Sequence, residues 1–222
     1  MTAEALGSGR RPLTRVALTA VTTAVGGAAA LAIAARAVTT ALGDPKAPWL
    51  LGRAAGLTSY LLLVLLVVMG LVLAHPRRAL LRRPGPLTRL RLHAGLAAFT
   101  LAFTVLHVVV LATDRYAGVG VAGSLVPMAS SYRPLPVTLG VLGAWSGLVS
   151  GLTAALAGRL AGRFWWPVHR VAAAALALVW FHAVLAGSDA GPLRNLYVGT
   201  GAAVMLLAIW RETATRPGTQ AP

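Results

Sequence analysis

Six long apolar stretches decide what this chain can fold into. They run Val16–Ala35, Ala54–Ala74, Leu92–Ala112, Leu135–Ala157, Val168–Gly187 and Leu196–Trp210, the last beginning near Pro192, where proline suits a first helical turn. Helices of about twenty residues, rising 1.5 Å per residue, cross a hydrocarbon core of roughly 30 Å. The expected fold class is all-α: an integral membrane six-helix bundle with helices over about 16–35, 54–74, 92–112, 135–157, 168–187 and 192–210. Residues 1–222 then form a single transmembrane domain, with 57% of the chain hydrophobic and no length left for a large soluble unit.

Charge sets the expected orientation. The formal net charge is +15, and every positive residue except Lys46 is an arginine. With the N-terminus inside, the inner segments hold Arg10, Arg11, Arg15, Arg77, Arg78, Arg82, Arg83, Arg89, Arg91, Arg159, Arg163, Arg170, Arg211 and Arg216. The outer segments hold only Arg36, Lys46, Arg53, Arg115, Arg133 and Arg194. The positive-inside bias therefore places both termini in the cytoplasm. The same placement, between apolar runs, argues against nucleic acid as a partner. "SGRRPLTRVALTAV" has the paired arginines of a twin-arginine signal, but its apolar run exceeds the roughly 7–15 residues of a signal peptide, so a retained first helix is expected.

Cysteine is absent, which removes disulfides, thiolate-held iron–sulfur clusters and covalently attached c-type haem. "GVGVAG", Gly118 to Gly123, satisfies a dinucleotide-binding pattern, but no strand precedes it and no βαβ unit fits between the flanking helices. Nucleophile–base pairs, paired carboxylates and a phosphate-binding loop are also missing. No sequence repeat is evident.

The chemistry lies in the histidines. His93 and His107 share the third apolar stretch, and His169 and His182 share the fifth. Both stretches run from inside to outside, so His93 matches His169 in depth and His107 matches His182. Offsets of fourteen and thirteen positions mean roughly 21 Å and 19.5 Å along the axes, too far for two histidines of one helix to share a metal. Pairing across helices lets each pair hold a b-type haem between two imidazoles. Iron ligation would also explain four ionisable groups in lipid, where each is costly without a partner; the bland reading is hydrogen bonding across the bundle. At 100° per residue, fourteen positions return to within about 40° of one face, but thirteen miss it by about 140°. Either the fifth helix is locally distorted or its two haems approach from different sides. His75 has no depth-matched partner and is expected at the interface.

These spacings, with "GRAAGLTSYLLL", "RLHAGLAAFTLAFTVLH" and "VHRVAAAALALVWFHAVLAGSD", resemble the ferric-reductase-like transmembrane family. That family includes the haem domains of NADPH oxidases and the haem subunit of the bacterial methionine sulfoxide reductase system. The resemblance covers the second to sixth stretches. It implies a six-helix core with two haem b per chain, the inner held by His93 and His169 and the outer by His107 and His182. It further implies an oxidoreductase of a bacterial plasma membrane, passing electrons from a cytoplasmic donor to an extracytoplasmic acceptor such as ferric iron. Alternatively, the chain serves as the haem subunit of a two-component reductase that repairs oxidised proteins. Many members continue into a flavin domain, whereas "RETATRPGTQAP" follows Trp210 here, so a flavin is expected only on a partner: the donor is a flavin reductase or a quinol. Leu111 stands where oxygen-reducing members tend to have a further histidine, which argues against superoxide production.

Haem carboxylates favour arginine near the membrane faces. Arg91 and Arg170 are placed for the inner haem, and Arg53 and Arg115 for the outer; topology signalling and snorkelling are the bland readings. Arg53 also matches the family's arginine before the second helix. Trp180 and Phe181 beside His182 are either electron-transfer aromatics or packing. Gly95, Gly140, Gly143 and Gly147 permit close approach of a helix or a flat macrocycle. Asp114 and Asp189 are either loop caps or attractors of a cationic acceptor. A haem-free transporter or scaffold is the distant alternative, disfavoured because no acidic residue lies in the apolar stretches.

Overall fold

The computed structural model describes residues 3–76, 85–156 and 165–215, and every regular element among them is helical. The elements are α1 (Ala3–Leu42), α2 (Ala47–Leu73), α3 (Pro86–Thr113), α4 (Gly120–Leu125), α5 (Pro134–Leu156), α6 (Trp165–Arg170), α7 (Ala172–Ala186) and α8 (Arg194–Thr215). Arg77, Arg78, Arg82, Arg83, Arg159, Arg163 and Arg216, half of the expected inner charge, lie outside the described residues.

Punctuation in the sequence fixes several ends. Gly43 takes φ +63° directly after α1, the left-handed conformation that closes helices at low steric cost. Prolines open α2, α3 and α5, where a missing N–H costs nothing. The GVGVAG segment supplies φ +65° at Gly118 and φ +71° at Gly120, then becomes α4, an element that apolar length alone did not predict.

Among the described residues, five segments are long and apolar enough to cross a membrane: Leu18–Thr40, Ala47–Leu73, Pro86–Thr113, Pro134–Ala154 and Pro167–Ala186. The sixth expected stretch is a helix, but α8 includes Arg194, Arg211 and Glu212 and falls short of that apolarity. Helices suit lipid because they satisfy their own backbone groups. Hydroxyls are satisfied in the same way: Thr100 donates to the Leu96 carbonyl at 2.7 Å and Thr104 to the Thr100 carbonyl at 2.8 Å. Large apolar side chains point outward from the bundle, Ile33 being 73% exposed and Phe99 57%. In water such a surface would aggregate; in lipid it is the solvated face.

α2 is the organiser of the interior. On one side Ala55 packs with Ala35 of α1 and with Leu106 and Val110 of α3. On the other, Tyr60 and Val64 meet Leu176 of α7 and Tyr197 of α8. α3 packs mainly on α2 and α1, and α7 mainly on α5. An apolar cavity of about 430 Å³ lies between α1 and α3, among Gly27, Ala30, Ala98 and Phe99.

Candidate functional site

All four intramembrane histidines meet in twos across the bundle. The ring centres of His93 (α3) and His169 (α6) lie 6.2 Å apart with planes at 72°, and those of His107 (α3) and His182 (α7) lie 6.4 Å apart at 75°. α3 and α7 are not principal packing partners, so these imidazoles reach toward one another from separate helix pairs.

The fifth stretch is interrupted at Val171, two residues past His169. Val171 N–H bonds the Val168 carbonyl at 3.1 Å, and the Val171 carbonyl accepts from both Ala174 N–H at 2.9 Å and Ala175 N–H at 3.3 Å. A three-residue step turns about 120° per residue in place of 100°, so the break rotates α7 relative to α6 by about 20° for each such step, a part of the roughly 140° mismatch. The local distortion that the sequence left as one alternative is present on this stretch.

The outer rings are held by backbone. His107 Nδ1 lies 2.6 Å from the Gly52 carbonyl of α2, and His182 Nδ1 lies 2.9 Å from the Pro136 carbonyl of α5. A carbonyl can only accept, so each Nδ1 carries the proton and each Nε2 keeps its lone pair for a ligand bond. His93 Nδ1, by contrast, is buried without a hydrogen-bond partner.

The geometry discriminates among ways of using such pairs. A direct N–H···N hydrogen bond of about 2.9 Å, with about 1.1 Å from nitrogen to ring centre on each side, would set the centres near 5.1 Å. Two metal–imidazole bonds of about 2.0–2.1 Å set them near 6.3 Å. The observed spacings match the second case. Among the described residues no group of three or more His, Cys, Asp or Glu side chains converges, so a tetrahedral site of protein ligands is not provided. Each pair could supply two imidazole nitrogens to a metal whose other donors arrive with it, as in haem.

The arginines separate into two kinds. Arg91, Arg115 and Arg170 are exposed. Arg53 instead donates from Nε to Asp189 Oδ2 at 2.9 Å and from a second nitrogen to Oδ1, and its guanidinium stacks 4.1 Å over the Trp49 ring. Its carboxylate partner sits in the α7–α8 turn, a pairing the sequence reading did not draw. Asp114 caps its loop, accepting from the Tyr116 and Ala117 N–H groups at 3.0 and 3.2 Å.

Other supporting residues fall on the packing side. Trp180 donates to the Tyr197 carbonyl at 2.9 Å, joining α7 to α8, and Phe181 is 49% exposed. His75, at the end of α2, is buried: it stacks on Trp210 of α8 with ring centres 3.9 Å apart. Leu111 lies against Gly52. Of the named glycines, Gly140 contacts His182 and Gly143 contacts Val179, whereas Gly95 and Gly147 face open space. The sequence reading missed Gly52, Gly56 and Pro136; the Gly-x-x-x-Gly spacing of the first two was the available signal. Compared with models of known protein families, with curated proteins and with solved structures, the chain matches none.

Proposed function

We propose that this chain is a transmembrane electron carrier with two b-type haems, one held by His93 and His169 and the other by His107 and His182. The observation that carries the reading is the two imidazole pairs, with ring centres 6.2 and 6.4 Å apart, each with one member on α3. Both separations are too wide for a direct hydrogen bond and would leave room for a metal between the rings. Haem bound there supplies one-electron chemistry between ferric and ferrous iron.

The chain's own part is ligation, orientation and insulation. Each histidine offers a neutral imidazole, and the apolar helices around it exclude water. Arg91 and Arg170 at one level, and Arg115 at the other, provide positive charge for haem carboxylates, while the Arg53 guanidinium is held by Asp189. α8 is the sixth crossing in this reading: Tyr197 faces the bundle, while Met205, Leu206 and Ile209 face outward, 63%, 67% and 54% exposed. With six crossings and the arginine bias, both termini lie in the cytoplasm of a bacterial plasma membrane.

The resemblance to the ferric-reductase-like family supplies the direction. In that family the donor is a cytoplasmic flavin reductase or a quinol and the acceptor is extracytoplasmic, such as ferric iron; here His93 and His169 would hold the haem on the donor side and His107 and His182 the one on the acceptor side. The chain acts as an oxidoreductase or as its membrane subunit. The test is the haem content and reduced absorption spectrum of the purified chain. Two haems per chain with b-type bands are expected, and a folded but colourless protein overturns the proposal. His107→Ala is expected to remove one haem; retention of both with unchanged spectra would break the assigned pairing.

A further inference from the structure

The two histidines of the His107–His182 level sit in matched sockets built by different helices. On α2 the Gly52 carbonyl accepts from His107 Nδ1, and four residues on stands Gly56. On α5 the Pro136 carbonyl accepts from His182 Nδ1, and four residues on stands Gly140. A Cβ on Gly56 would fall 2.7 Å from His107 Nδ1 and 2.8 Å from Cε1. One on Gly140 would fall at the same two distances from His182.

The spacing has a simple cause. In an α-helix the carbonyl of residue i bonds the N–H of residue i+4 and retains a second lone pair. A side chain at i+4 shields that lone pair from the side; glycine leaves it open. An imidazole from a neighbouring helix can then lie flat on the bare backbone and donate to it. The bond fixes the Nδ1–H tautomer and aims Nε2 away from the socket helix, as partner groups behind metal-binding histidines do.

We propose that Gly56 and Gly140 are positioning residues, which together with the Gly52 and Pro136 carbonyls hold the two imidazoles of this level ready for axial ligation. The inference rests on the haem reading above and adds that the two levels are built differently. Gly70, the glycine nearest His93, stands off at 3.4 Å from its Cε1, and His93 Nδ1 has no acceptor. The socket seen at His107 and His182 is therefore not repeated at His93.

The experiment compares Gly56→Ala and Gly140→Ala with Gly26→Ala and Gly199→Ala in the full chain. A Cβ at Gly26 or Gly199 meets nothing within 4 Å, so these variants control for the substitution itself. Haem per chain, the low-spin ferric resonance spectrum and the midpoint potentials are read. Each socket variant is expected to lose or distort one haem, with retention weakened about 10–100-fold, while the other haem reports an intact fold. The controls keep both unchanged.

A second arm guards against misfolding. The drop in unfolding midpoint caused by Gly56→Ala should vanish in a His107→Ala background, and that caused by Gly140→Ala in His182→Ala, because the ring that clashes is gone. A glycine needed only for helix packing would cost the same in both backgrounds, which overturns the proposal. So does a wild-type chain with two haems whose socket variants match it in spectrum and potential. A wild-type chain without haem fails the haem reading instead, and the stability cycle still decides the sockets.

Discussion

Tyr60 offers a quantitative test of how α8 is held. It is 2% exposed and joins three helices: its ring meets Tyr197 edge-on at 5.2 Å, Leu176 packs beside it, and its hydroxyl bonds Thr200. Tyr60→Phe removes the hydroxyl alone. Thr200 keeps its own bonds to the Leu196 carbonyl at 2.7 Å and the Tyr197 carbonyl at 3.2 Å, so no donor is stranded. An interhelical hydrogen bond in a membrane is worth about 0.6–1.7 kcal/mol, which caps the loss. Tyr60→Ala deletes the whole ring at a site walled by helices that cannot all collapse inward, and costs about 3–5 kcal/mol. For a chain of this size each kcal/mol moves the midpoint by about 2–4 °C. Melting in detergent should therefore fall by about 1–7 °C for phenylalanine and about 6–20 °C for alanine, with α8 becoming the first protease-sensitive segment in the alanine variant. Equal losses in the two variants would mean the hydroxyl, not the ring, docks α8. A loss under about 1 kcal/mol for alanine would mean that α8 is not docked on α2 and α7 at all.

Two neighbouring glycines on α5 should respond in opposite senses. Gly143→Ala puts a Cβ 2.7 Å from Val179 Cγ2, and a valine in a helix has few rotamers to escape into, so a loss of about 1–3 kcal/mol is expected by thermal melting. Gly147→Ala meets open space and should gain about 0.5–1 kcal/mol from helix propensity; like signs for the pair would refute the packing. Asp189→Asn weakens the pair with Arg53, but the side chains are 26% and 42% exposed, so screening holds the loss to about 0–1 kcal/mol, shrinking further in high salt. A larger, salt-independent loss would show that solvent does not reach the pair.

Much of this molecule is written in one dimension. Apolar length announced the five spans, and proline and glycine marked several of their ends, because both are local properties of the chain. Depth matching put His93 opposite His169 and His107 opposite His182, since position along a straight helix grows steadily with residue number. Apolar length did not foretell α4, and of the six stretches it announced, the one in α8 falls short of the apolarity of the other five.

Angles and distant partners needed the folded chain. Thirteen residues on a straight helix cannot aim His169 and His182 alike, and part of the rotation comes from a break at Val171 that apolar length does not mark. Arg53 and Asp189 lie 136 positions apart, and His107 finds its carbonyl acceptor 55 positions away. The sequence determined that the chain is helical, apolar and furnished with four intramembrane histidines. Which nitrogen of His107 and His182 stays open to a ligand was decided only by the backbone of α2 and α5 arriving beside them. A hydrogen bond depends on position within tenths of an ångström, and only packing sets that for residues so far apart in the chain.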